Sequence, residues 1–412
     1  MKFDTVVLGA GIVGVSVASH LQKRGRSVAL VDVRQPGYET SFGNAGLIQR
    51  EGVYPYACPR SFRTLLRYAR NRSTDIRYHP DAMLKLTPFL WKYWRNSSPQ
   101  RHSNIARSYA TLIEHCVTEH RALANEAGAR HLLRPIGWMK VFRTARQEDE
   151  ETREAEQWFR EFGIEFDSLD APRLRQAEPD LDKSLLGGLR YVASESVSDP
   201  NALVTAYAKY FEQLGGRFFI GDGATIKDKW KVQTEQGEIE TASVVVAMGP
   251  WADQVTSRLG YRFPLAVKRG YHMHYEAGSQ ARLNHPILDV GHGYVITPMS
   301  RGIRLTTGAE LAHRDAPKTP TQLDAVEPLA RTLFPLGARI DEEPWMGRRP
   351  CTPDMMPIIG PAKRHRDLWF AFGHAHHGFT LGAVTGRLVA EMITGEPMLI
   401  DPYPFRPSRF NA

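Results

Sequence analysis

Phe3-Asp4-Thr5-Val6-Val7-Leu8-Gly9-Ala10-Gly11-Ile12-Val13-Gly14 begins as a short apolar, β-branched run and ends in a Gly-x-Gly-x-x-Gly pattern. Val13, Val17, Ala18 and Leu21 then recur at helical spacing, so the stretch reads strand, tight turn, helix. Each glycine has a task there: Gly9 lets the chain turn, Gly11 clears the approach of a pyrophosphate, and Gly14 lets the helix pack on the strand. The helix N terminus adds unpaired N–H groups and a partial positive charge for the phosphates. Ser27-Val28-Ala29-Leu30-Val31-Asp32 supplies a second strand ending in an acid, placed to accept from ribose hydroxyls. Asp32 favours FAD or NAD over NADP, and Arg34 beside it is a further cofactor-binding candidate. A structural glycine turn is the plain alternative, but strand, helix, second strand and acid all fall in place. Three glycines and Asp4 interrupt the apolar run and argue against a signal peptide.

After Asp32 the βαβ alternation stops. Thr40-Ser41-Phe42-Gly43-Asn44-Ala45-Gly46-Leu47-Ile48 is a run of small residues where backbone can lie against a flat ligand, and the interruption favours a flavin. The 412 residues suggest two domains or more, of ordinary soluble composition with 42% hydrophobic and 24% charged residues. A formal charge of +8 is compatible with anionic substrates, membrane headgroups or nucleic acid and chooses none of them. Cys58, Cys116 and Cys351 are too few and too scattered for a disulfide framework or a Cys-x-x-Cys metal site, which fits a reducing cytoplasm. No apolar run is long enough to span a bilayer.

Residues 63–101 mix arginines with Phe89, Trp91, Tyr93 and Trp94, as a packed helical insertion with a solvated basic face does, or a membrane-facing surface. Residues 104–128 read as one long helix, 136–144 as a strand, and 147–163 as a helix with Trp158, Phe159 and Phe162 on its apolar side. Asp199 starts another helix, Ala224-Thr225-Ile226 reads as a short strand, and the apolar strand Ser243 to Ala247 ends at Met248-Gly249 as the nucleotide sheet resumes. Alternating strands over 261–310 describe an antiparallel sheet inserted into the first domain. The fold class is thus α/β with an α+β mixture: a Rossmann-like domain from 1–50, 195–260 and 345–412, and a second domain from 51–194 and 261–344.

Three motifs together carry a resemblance. They are the N-terminal fingerprint with residues 40–46, Gly347-Arg348-Arg349-Pro350-Cys351-Thr352-Pro353-Asp354 leading to Pro357-Ile358-Ile359-Gly360-Pro361, and Gly373-His374 to Thr380 before the last helix. In these the chain resembles the FAD-dependent D-amino acid dehydrogenases and, more widely, the glycine oxidase and sarcosine oxidase group. The resemblance implies FAD, with Asp32 on the adenosine ribose and the Gly43 to Leu47 backbone near the isoalloxazine ring; Ser41, Asn44, Ala45, Gly46 and Leu47 are the cofactor-binding candidates of this stretch. It implies Thr225 and Ile226 toward the adenine, Gly249 near the pyrophosphate, and Gly378, Phe379 and Thr380 presenting N–H groups to the flavin pyrimidine edge. The substrate carboxylate needs a fixed cation, and Arg349 at the family's Gly-x-Arg-Pro position is the candidate, with Tyr271 and His272 as helpers on opposite faces of one strand. Pro298-Met299 stands where relatives carry a second arginine.

The implied reaction is oxidation of an amino-acid C–N bond: a hydride passes from Cα to flavin N5, and the imino acid hydrolyses to a 2-oxo acid. His376 and His377, with His374, are candidates for amine deprotonation or for hydrogen bonds around the flavin. His272-x-His274 invites a metal reading, but the sequence sets no carboxylate beside it, so no metal is expected. Alternatives are an O2-using oxidase, an enzyme for secondary or cyclic amines such as a D-proline derivative, and a membrane-docked electron-transfer subunit. The expected partners are a small amino acid or amine and a quinone or other acceptor, at the inner face of the membrane if docked. No nucleic acid is expected, because the Lys and Arg residues are spread rather than striped.

Overall fold

A computed structural model describes residues 1–227, 230–278 and 280–410. Two large sheets organise it. The strands Arg217–Ile220, Val28–Asp32, Lys2–Leu8, Gly237–Val246 and Leu368–Phe372 lie side by side in that order and run parallel. Ile358–Pro361 closes one edge antiparallel, and Lys231–Thr234 pairs antiparallel onto Gly237–Val246. Both faces are apolar, as expected of a parallel sheet covered on both sides. Val6, Leu8, Ala29, Val31, Val244 and Val246 enter one core, while Val7, Leu30 and Val245 enter another with the helices.

The helix Ile12–Lys23 packs against the last helix, Gly378–Thr394, at two glycines. A Cβ on Gly386 would sit 2.6 Å from Ser16 backbone, and one on Gly382 2.6 Å from Ile12 Cγ1. This contact brings the N terminus of the last helix beside the Gly9–Gly14 turn.

The second sheet has eleven strands built around Ala266–Ala277. It is largely antiparallel, but Ile287–Asp289 pairs parallel with Trp138–Phe142, and Ala309–Leu311 with Ile76–Tyr78, so the expected purely antiparallel sheet is mixed. Trp345–Cys351 runs antiparallel along Ala266–His272 in this sheet, although its place in the chain adjoins the nucleotide segments.

Three local readings are corrected. Residues 104–128 form two helices, Pro99–Ile113 and Cys116–Glu126, separated at Glu114 and His115. The second then lies against the last helix, where Arg387 pairs with Glu119 at 2.8 Å. Thr225 sits in a 3-10 turn, Gly223–Thr225, capped by the Asp222 carboxylate accepting from Ala224 N at 2.8 Å. Phe159 is 54% exposed, because the helix Ala145–Phe162 buries Ala155 and Trp158 instead.

Candidate active site

A cleft of about 1780 Å³ runs from the C-terminal ends of the parallel strands to the face of the second sheet. Its floor is the glycine turn. Gly9 has φ +103°, and a Cβ there would meet Ala247 O at 2.6 Å; a Cβ on Gly14 would lie 1.8 Å from Gly9 O. Ser41 Oγ accepts from Ile12 N at 3.0 Å, at the first turn of the helix where a phosphate oxygen has other N–H groups to choose. Asp32 accepts from Ala10 N through one oxygen and from Arg34 N through the other, and burial raises its carboxyl above the ordinary range. Arg34 itself pairs with Glu39 at 3.0 Å. These residues fit a dinucleotide at the open end of the sheet.

The loop at 42–47 is held from both sides. Asn44 Oδ1 accepts from Gly46 N and Leu47 N, Thr297 Oγ1 donates to Ala45 O, and Arg304 Nη1 donates to the carbonyls of Phe42 and Asn44. A Cβ on Gly43 would fall 1.6 Å from the Trp345 ring, so the ring closes on bare backbone. Gly9, Gly11, Asp32, Arg34, Ser41, Asn44, Ala45, Leu47, Gly249, Gly378 and Phe379 all line the cleft. Gly14, Gly46 and Thr380 stand behind the wall. Thr380 Oγ1 accepts from Gln49 N and donates to Leu47 O, tying the last helix to the loop. Thr225 and Ile226 lie behind Asp222 and Gly223, which are the members of that turn that reach the cleft.

On the sheet side, Lys268, Gly270, His272 and His274 share one face of their strand, with Arg349, Gly347 and Trp345 opposite on the next. Arg349 arches over Gly270, where a Cβ would meet its guanidinium at 2.6 Å. It lines the cleft, donates to Arg269 O and Gly308 O at 3.3 Å each, and burial lowers its pKa. Arg348 leaves the other face of the strand and borders the cleft elsewhere, bonded to Arg314 O and lying over the Trp251 ring.

Tyr271 and His272 are not brought to the clamp. Tyr271 borders the cleft, but its hydroxyl donates to Glu310 and accepts from Arg269 and from Thr319 N in a buried cluster. His272 is sealed between Trp345 and Phe42, with ring centroids at 4.9 and 6.1 Å. Contrary to the sequence reading, a carboxylate does accompany these histidines: Asp341 Oδ2 lies 2.7 Å from His274 Nδ1. The other ring nitrogen, Nε2, accepts from Arg304 Nε at 3.0 Å, so an arginine occupies the cationic position of this cluster.

The three histidines before the last helix all border the cleft, but their bonds differ. His374 Nε2 bonds Thr385 Oγ1 and His377 Nδ1 bonds the Tyr109 hydroxyl, both at 3.0 Å, and burial holds them down to about 3 and about 4. His376 faces the cleft against Tyr56 at 4.5 Å, held well below the usual histidine range by burial and then by the Arg349 and Lys268 cations. Lys268 and Tyr56 are cleft residues that the sequence did not single out, and Tyr93, read there only as one aromatic of a basic helical insertion, lines the cleft with them. Period-two alternation from Gly270 would have put Lys268 on the same face as Gly270.

The model of the family described as FAD dependent oxidoreductase matches residues 4–392. A D-amino-acid oxidase of Bradyrhizobium diazoefficiens is 30% identical over 98% of each chain. A D-amino acid dehydrogenase of Granulibacter bethesdensis is 29% identical over 96% of this chain and 97% of its own. Among solved structures, glycine oxidase from Geobacillus kaustophilus superposes with TM-score 0.75 and 21% identity, covering 99% of each chain.

Proposed function

The chain belongs to the FAD-dependent oxidoreductase family, and from that premise we propose that it oxidises the C–N bond of an amino acid, a D-amino acid foremost, to an imino acid that hydrolyses to a 2-oxo acid. The observation that carries this reading is Arg349: a cleft-lining guanidinium whose partners are two carbonyls, on the sheet face opposite the glycine turn. A substrate α-carboxylate gives it the bidentate partner it lacks, a charge-assisted pair of about 1.5–3 kcal/mol. FAD supplies the hydride acceptor when bound. His376, neutral at working pH, accepts a hydrogen bond from the substrate nitrogen, so the amine can bind unprotonated with its lone pair free. The last helix directs its N-terminal dipole at the cleft through Gly378 and Phe379, which favours negative charge arriving there. Arg349→Met is expected to keep FAD and to lose at least about 100-fold in the rate of flavin reduction by amino acids; an unchanged rate removes Arg349 from the site.

A specific observation favours a membrane-side acceptor of the quinone class over O2. The helix Phe62–Ala69 buries none of its residues; Phe62 is 77% and Leu66 51% exposed, each followed in the chain by an arginine, Arg63 and Arg67. Leu65, Tyr68 and Trp91 from this region line the mouth of the cleft. Such a surface suits a cytoplasmic protein resting on an anionic membrane face, and no described helix is long and apolar enough to cross it.

A further inference from the structure

Lys268 and Arg349 are register partners on adjacent antiparallel strands, so their side chains leave the same face of the sheet about 5 Å apart at Cβ. Like charges directly opposite one another destabilise a sheet, and here both line a cleft that burial shields from water. Neither forms an ion pair among the described residues. Lys268 Nζ donates to the Tyr93 hydroxyl at 3.0 Å and lies 4.1 Å from the Tyr93 ring centroid, while Arg349 donates to carbonyls. The neighbouring groups Tyr56, Tyr93, Cys58, Cys351 and His376 are uncharged, since burial raises the thiols and phenols and lowers the histidine.

An amino acid bound with its amine unprotonated and one carboxylate brings a single negative charge to these two cations. A second carboxylate balances the site, and Lys268, steadied on Tyr93, is placed to take it. Resting on the proposed oxidation of an amino acid, we infer that the preferred substrate is dicarboxylic: Arg349 takes the α-carboxylate and Lys268 a second one, carried on the side chain or on the nitrogen.

The test uses the holoenzyme. Succinate and butyrate, which cannot be oxidised at a C–N bond, are titrated against the flavin absorbance. Reduction rates are then compared for D-aspartate, D-glutamate and iminodiacetate against D-asparagine, D-glutamine and D-alanine. Succinate binding about 100-fold tighter than butyrate, an acidic preference of similar size, and collapse of that preference in Lys268→Met but not in Lys268→Arg are the expected results. Aspartate and glutamate leading places the second carboxylate on the side chain; iminodiacetate leading places it on the nitrogen. If Lys268→Met fails to accumulate, Lys268→Gln, which keeps a donor for Tyr93, takes its place. Equal binding of the two acids, or a preference that survives loss of the lysine charge, overturns the inference while reduction by neutral amino acids leaves the oxidation reading standing. Reduction by no amino acid, with succinate still favoured, would instead sink the oxidation reading alone.

Discussion

Arg304 reaches out of the larger sheet to the loop beneath the cleft and donates to the carbonyl of Asn44 at 2.5 Å, as well as to that of Phe42 at 3.0 Å. Its Nε is braced by His274, which is braced in turn by Asp341. The loop residues that line the cleft therefore hang from a side chain of the other sheet. Hydrogen bonds to a charged group contribute about 1.5–3 kcal/mol, so Arg304→Met is expected to raise the Kd for FAD about 10- to 100-fold. Titrating apoprotein with FAD by fluorescence measures this, and an unchanged Kd removes Arg304 from the support of the loop.

His376 is neutral across the working range because burial and two cations oppose its protonation. The acid limb of kcat/KM then belongs to the substrate ammonium and not to this histidine. His376→Asn should lower the rate of flavin reduction while leaving the position of that limb within about 0.3 pH unit. A limb that moves with the substitution would show His376 titrating in the working range.

Much of the nucleotide half was legible because its signals are local. The glycines, the strand endings and Asp32 fall within 32 residues, and the unbroken apolar run Val244 to Val246 declares a strand buried on both faces. The substrate side was less so. That His272 is enclosed by Trp345 and Phe42, and that Lys268 stands across from Arg349, depend on a pairing between segments some 80 residues apart. Nothing near either segment encodes that register. The break at Glu114 and His115 was hidden for a related reason: no Gly or Pro marks it, and it follows from the seating of Cys116–Glu126 on the last helix.

Buried neutral histidines set an acid limit to stability. His20 and His374 are held down to about 3, and His120 and His377 to about 4, each chiefly by burial. Below the unfolded value near 6.5 the unfolded chain binds protons that the folded chain refuses, so stability falls as pH drops from about 6.5 toward 4. Each group contributes up to about 1.4 kcal/mol per pH unit in that window. Thermal melts at pH 7 and 5 should show a clear loss at pH 5, lessened in His120→Gln; equal Tm values at the two pH values would contradict it.

The exposed helix Phe62–Ala69 should bind membranes through apolar insertion and arginine charge. The full chain is expected to float with vesicles containing anionic lipid at low salt, less so at high salt, and not after Phe62→Glu with Leu66→Glu. Absence of binding to anionic vesicles at low salt would remove the membrane-side acceptor.

The central claim is oxidation of an amino-acid C–N bond at a flavin, and its most direct measurement is anaerobic reduction of the purified holoenzyme by a panel of D-, L-, N-alkyl and cyclic amino acids. The yellow absorbance should bleach with at least one of them, recover slowly when air is admitted, and persist in Arg349→Met. A protein that retains no flavin, or whose flavin no amino acid bleaches, contradicts the account.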